Sequence, residues 1–207
     1  MPLRFTLLAA LLCCASLASR AARADEWSGV IEVYEAYANE SCASAEAALL
    51  RCRRCAEPGP AAYVALLRAF CRERAGDVAA SRHYEELVVL YPNSAIAEHA
   101  LLRLVTLARR DPIPPPPGPP TLGALESAPR FRANPDYPEL LRRANIEGWV
   151  LLAFDVREDG RVEDVHVIES SPPYLFDLSA VHSLERWYYP PHERTGMRVR
   201  LSFAMEK

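Results

Sequence analysis

A run of seven prolines in ten residues, DPIPPPPGPP from Asp111 to Pro120, divides this chain. Proline lacks a backbone N–H and has a fixed φ, so the run joins neither a helix nor a sheet ladder and adopts polyproline II. At ~3.1 Å per residue it spans about 30 Å as a semi-rigid spacer. Residues 121–130 carry no clear period and extend the linker to 111–130. Whatever folds must therefore fold on either side of it, and the hydrophobic period differs between the two sides.

Before the run, apolar residues recur at helical spacing from Trp27 to about Arg110. The stripes include Val30, Val33, Tyr34 and Tyr37, then Tyr63, Leu66, Leu67 and Phe70, then Tyr84, Leu87 and Val88, then Ala97, Leu101, Leu104 and Val105. Pro58-Gly59-Pro60 and Pro92-Asn93-Ser94 break the pattern, and Gly76-Asp77 reads as a C-cap glycine followed by an N-cap aspartate. Residues 25–110 are expected to form five antiparallel helices joined by short turns. Within them, Ala61 to Arg110 resembles a tetratricopeptide-type repeat, with Gly76, Ala80, Tyr84 and Pro92 at its turn, packing, aromatic and helix-ending positions. That resemblance implies a protein-docking groove; the plainer reading is a helical bundle that positions the next domain.

The first 24 residues read as a secretory signal peptide. Arg4 precedes an apolar run from Phe5 to Ala18, and Ala22-Arg23-Ala24 is a small-x-small cleavage site before Asp25. The run is shorter than the roughly 20 residues a spanning helix needs. The expectation is a periplasmic protein; an uncleaved leader would instead leave it anchored in the inner membrane. Without Arg4, Arg20 and Arg23, 21 basic residues face 27 acidic ones, and a net charge of about −6 gives no footprint for nucleic acid.

Four cysteines follow the leader, Cys42, Cys52, Cys55 and Cys71, and an even number in an exported chain reads as disulfides. A helical hairpin turning about Pro58 places Cys42 opposite Cys71, with Cys52 and Cys55 on one face at a helix end. The expected bonds are Cys42–Cys71 and Cys52–Cys55, with Cys52–Cys71 as the rival. Zinc is disfavoured because Cys42 and Cys71 lack paired spacing. Thioredoxin-type chemistry is disfavoured because Cys52-Arg53-Arg54-Cys55 ends a helix in a helical segment.

After the run the period changes. Pro135 to Ala144 reads as a short helix. Gly148 to Val156 alternates Val150, Leu152, Phe154 and Val156 onto one face of a strand. Asp159-Gly160 closes a hairpin onto a return strand, Val162 to Glu169, with Val165 and Val167 inward. Leu178 to Tyr188 reads as a helix with Ala180, Val181, Leu184 and Trp187 on its apolar stripe. Met197 to Met205 is the last strand, with Met197, Val199, Leu201 and Phe203 facing one way and Arg198, Arg200 and Ser202 the other. The fold class is α+β: a helical N-terminal domain, a proline-rich linker, and a C-terminal α-β-β-α-β domain, 131–207, with a three-stranded antiparallel sheet.

The ordered set Tyr137-Pro138, Gly148-Trp149-Val150, Asp159-Gly160-Arg161-Val162, Ser170-Ser171-Pro172 and Trp187-Tyr188-Tyr189-Pro190, with the strand Val199 to Phe203, is similar to the TonB C-terminal domain family. Tyr137, Pro138, Gly148, Asp159, Gly160, Trp187, Tyr189 and Pro190 are fold determinants. The resemblance implies a protein that accepts a short segment of an outer-membrane TonB-dependent receptor, or of another envelope protein, as an added strand. The expected partner-binding residues are Arg198, Val199, Arg200, Leu201, Ser202 and Phe203, and a homodimer through the same strand is a second use of that edge. No proline interrupts the strand, and its arginines suit an acidic partner or guard the edge against aggregation. A short proline arm and a cleavable leader depart from a complete energy transducer, so the alternative is an interaction module of an envelope assembly without energy coupling.

No catalytic residue, cofactor or metal is expected. His83, His99, His166, His182 and His192 form no metal-binding pair. Asp155, Glu158, Asp159, Glu163 and Asp164 read as a solvated turn, and no nucleophile elbow or phosphate loop is present.

Overall fold

The structure is a computed structural model that describes residues 27–39, 41–109 and 128–205. The expected leader and the proline run lie outside the described residues. The chain divides into two compact units, Met1–Val64 and Ala65–Lys207.

In the first unit, α1 (27–39) and α2 (Cys42–Arg51) precede the start of α3 (Pro58–Arg74). The stripe Val30, Val33, Tyr34 and Tyr37 is buried. Trp27 and Tyr34 meet the Tyr63 ring edge-on, with centroids 5.2 and 6.5 Å away, and the Tyr34 hydroxyl donates to the Tyr63 carbonyl at 3.0 Å. The Ser41 hydroxyl caps α2 by accepting from the Ser44 N–H at 3.1 Å. Cys52 and Cys55 form a disulfide just past α2, with Cα atoms 5.6 Å apart, which excludes the rival Cys52–Cys71 bond.

The second unit holds the rest of α3, then α4 (Ala80–Leu90) and α5 (Ala95–Ala108). Gly76 takes the left-handed φ of +74° that ends α3. Asp77 does not cap α4 as expected: its carboxylate accepts from the Ala79 N–H and starts a turn, and Ala79 holds the N-cap position. Ser94 does cap α5. Tyr84, Leu87, Ala97 and Ala100 are buried between α4 and α5, which pack together.

Beyond the linker come α6 (Glu139–Arg143), β1 (Gly148–Val156), β2 (Val162–Ser171), α7 (Asp177–Glu185) and β3 (Arg194–Phe203). The sheet is antiparallel in the order β2-β1-β3. Val150, Leu152, Phe154 and Val156 of β1 are buried, as the alternation required. α6 is shorter than the expected Pro135–Ala144, because the residue before a proline is driven out of helical conformation and Pro138 itself sits at ψ 127°. α7 stops at Glu185, so Trp187, Tyr188 and Tyr189 leave the helix. Tyr188 bridges Phe131 and Arg161, Tyr189 N–H donates to the Gly160 carbonyl at 2.8 Å, and the buried Trp187 indole donates to the Ala133 carbonyl at 2.9 Å. Trp187 thus fastens the chain entering this domain rather than a helix face.

The residues flanking the proline run do not belong to separate bodies. α5 before it packs against α7 after it, and Arg109 pairs with Asp164 of β2 at 2.8 Å.

Candidate functional site: the open sheet edge

A three-stranded sheet in the order β2-β1-β3 has two edges, and their chemistry differs. β2 is irregular. Its register against β1 slips by one residue twice, between the Ala153 and Asp155 pairs and between the Leu151 and Leu152 pairs. Asp164 sits at φ +49° in the first slip and is held from outside by Arg109. That ion pair, with the hydrogen bonds from Arg109, holds the Asp164 carboxyl below the usual carboxylate range. Bulges and inserted charges are how a sheet closes an edge. The bulge also corrects an expectation about β2. Val165 and Val167 are only half-buried, and the buried residue is His166, which pairs with Ala153 on the face away from α6 and α7.

β3 is the regular edge. From Gly148↔Phe203 to Phe154↔Met197 it pairs with β1 without interruption. Its one slip falls near Gly196, which takes φ +68°. Two carboxylates pin its ends. Asp155 accepts from the Gly196 N–H and Glu147 accepts from the Met205 N–H, each at 2.7 Å. Neither carboxylate was legible as part of the site, because each acts across strands and belongs to no local pattern.

The six expected partner-binding residues separate by face. Leu201 and Phe203 are buried beneath the helices, so only their backbone is available to a partner. Val199 is half-buried on the same face. Arg198 is half-buried, and Arg200 and Ser202 are exposed on the opposite face. Arg200 lies 4.0 Å over the Trp149 ring, a cation–π contact that orients its guanidinium at the edge. Trp149 is therefore part of this surface, although the sequence marked it only as the residue after Gly148.

The end of β3 rests on an aromatic cluster. Phe203 stacks on Phe176 at 4.3 Å and meets Tyr137 edge-on at 5.9 Å. The Tyr137 hydroxyl donates to the Ile146 carbonyl at 2.6 Å. Gly148, expected as a fold determinant, owes that role to close approach. A Cβ there would overlap the Ser171 carbonyl oxygen and meet a Phe176 ring carbon at 2.7 Å. Gly160 does serve the hairpin turn, at φ +89°, with Asp159 accepting from the Arg161 N–H at 3.0 Å. Pro190 follows the buried Tyr189, whose carbonyl lies where a Cβ on Gly160 would go.

Residues 133–206 match the family model described as Gram-negative bacterial TonB protein C-terminal. Protein TonB of Escherichia coli strain K12 is 36% identical over 85 residues, which cover 40% of this chain and 36% of that protein. Protein TonB of Pseudomonas aeruginosa strain PAO1 is 34% identical over 65 residues, 31% of this chain and 19% of that protein. A solution NMR structure of the Pseudomonas aeruginosa TonB C-terminal domain aligns over 39% of this chain and 87% of that chain, at 28% identity and a TM-score of 0.35. The chain thus spans little more than a third of the first of these TonB proteins and less of the second. The described residues before the proline run, 27–39 and 41–109, lie outside the match to the family model. The likeness to TonB proteins is thus carried by residues 133–206, which are similar in sequence to the C-terminal domain of that family.

Proposed function

We propose that this chain is an exported envelope protein that binds an extended segment of an outer-membrane transporter, or of another envelope partner, by adding it as a strand to β3. The observation that carries the reading is the asymmetry of the two sheet edges. β3 is regular and proline-free over Met197–Phe203, whereas β2 is bulged and held by Arg109. An unpaired regular edge offers a row of N–H and C=O groups to a peptide, and alternate side chains set its specificity. Arg198 and Arg200 favour an acidic segment. They disfavour self-pairing, since a symmetric pair of β3 strands centred on Val199 would set Arg198 of one copy against Arg200 of the other. No helix among the described residues is long and apolar enough to cross a membrane.

A photo-crosslinking residue at Ser202 tests the reading in living cells. Crosslinks to an extended segment of an outer-membrane transporter are expected, with none from the same probe at Glu169 on β2. Equal crosslinking from both edges, or none from Ser202, would overturn strand addition at β3. Crosslinks from Ser202 to an envelope protein with no transport role would favour the second reading, an interaction module without energy coupling.

A further inference from the structure

One short segment, Tyr174 to Asp177, touches both the helical layer and the strand proposed to bind a partner. On one side stands Arg103 of α5, only 7% exposed. Its guanidinium donates twice to the Glu73 carboxylate of α3, once at 3.1 Å and once through a shorter bond. The same guanidinium lies 4.4 Å over the Tyr174 ring and 3.8 Å from an Asp177 oxygen. Glu73 also accepts from the Tyr84 hydroxyl of α4 at 2.7 Å. Three helices thus converge on the start of α7 through one cation.

Tyr174 carries a second, independent sign of constraint. Its φ is +68°, a left-handed conformation that a bulky residue rarely adopts. Such strain persists only where the surroundings over-determine it. Here the ring is packed between Phe70 of α3, 5.1 Å away, and Arg103. Two residues on, Phe176 is fully buried, and its ring faces the other way, onto Phe203 at 4.3 Å and Tyr137 at 5.5 Å. Phe203 is the last residue of β3 and pairs with Gly148.

We propose that the segment 174–177 is a transmission element: the α3–α5 layer, gripping it through Arg103 and Phe70, sets the position of the C-terminal end of β3 through Phe176. The physical warrant is the contiguity of two rigid contacts within four residues, one ionic and aromatic, one a ring stack, at a segment with little freedom of its own. A change that loosens the helical layer therefore loosens the β3 edge first, and by reciprocity an occupied β3 edge tightens the layer. The use of this coupling in partner binding rests on β3 being the binding edge; the coupling itself does not.

Amide hydrogen exchange on the purified full chain measures it without any partner. Arg103→Met should raise exchange of the amides that β3 donates to β1 between Leu201 and Phe203 by about tenfold while leaving those at Val156 and Val162, at the far end of the sheet, unchanged. Tyr174→Gly, which relieves the strained φ and removes both ring contacts, should do the same if Arg103→Met does not fold. Phe176→Leu should in turn raise exchange in α5. Faster exchange in α5 with an unchanged Phe203 region would overturn the coupling, and so would an equal rise at every site, which marks global destabilisation only. Loss of crosslinking at Ser202 with this exchange pattern intact would sink the strand-addition reading and leave the coupling standing.

Discussion

Gly148 and Gly76 show why one residue type needs two explanations. Gly148 is in ordinary extended backbone, and its lack of a Cβ matters because the Ser171 carbonyl and the Phe176 ring fill that space. Gly148→Ala should lower stability by about 1–3 kcal/mol, read from urea unfolding, because backbone oxygen cannot move aside as a flexible side chain could. Gly76 sits at φ +74° with open space around it. Gly76→Ala should cost only about 1 kcal/mol, the price of the left-handed conformation for a residue with a Cβ. The opposite ranking in the same assay would show that the crowding at Gly148 is relieved by local movement. Sequence marks Gly76 as a helix-ending glycine from its neighbours, but it carries no information about which distant atom approaches the Gly148 Cα.

At the scale of the element, β1 and the alternation of β3 were legible because a period of two is a local signal. The end points of the other elements were less so. Pro138 shortened α6 through its effect on the preceding residue, and pairing of Tyr188 with Phe131 and Arg161 drew Trp187 to Tyr189 out of α7. The integrity of β3 is predicted to depend on its two end carboxylates. Asp155→Ala removes the acceptor for Gly196 and should cost about 1 kcal/mol, with faster exchange of the Gly196 amide and little change at Leu201. Ser94→Ala should cost about the same in α5 by removing its cap, but leave β3 exchange untouched. The bulges of β2 were not legible: the alternation of Val165 and Val167 predicts a plain strand, and only the inserted residue at Asp164 explains why His166 is the buried one.

Across the whole molecule, the buried charges of the second unit decide how it responds to mutation and acid. Arg103→Leu leaves Glu73 and Asp177 without their cation, and its cost in urea unfolding should shrink in a Glu73→Gln background, because the unpaired carboxylate is then gone. Two groups near Arg103 respond to acid in opposite directions. Burial pushes the Asp177 carboxyl up to about 6, against the pull of Ser170 and Arg103, so its contribution to stability improves as pH falls through that value. Burial, with His182 and Arg103 adding to it, lowers His99 to about 4 from an ordinary 6.5, so its contribution is lost as pH falls below 6.5. Asp177→Asn removes the compensating group. The urea midpoint of that variant should therefore fall more steeply between about pH 7 and pH 5 than that of the unaltered chain; a parallel fall would show that Asp177 does not titrate in this range.

The sequence alone determined the order and type of the elements, the hairpin at Asp159-Gly160, the face on which each β1 and β3 side chain lies, and the likeness of the C-terminal domain to TonB C-terminal domains. These follow from periodicity and turn chemistry, which act between near neighbours. Only the tertiary structure decided that β3 and not β2 is the regular edge, that Gly148 is a point of close approach, and that α5 and α7 pack together on either side of the proline run. Each of those depends on contacts between residues tens of positions apart, such as Arg103 with Asp177 or Asp155 with Gly196. A chain of local preferences does not encode such contacts until the strands and helices have packed.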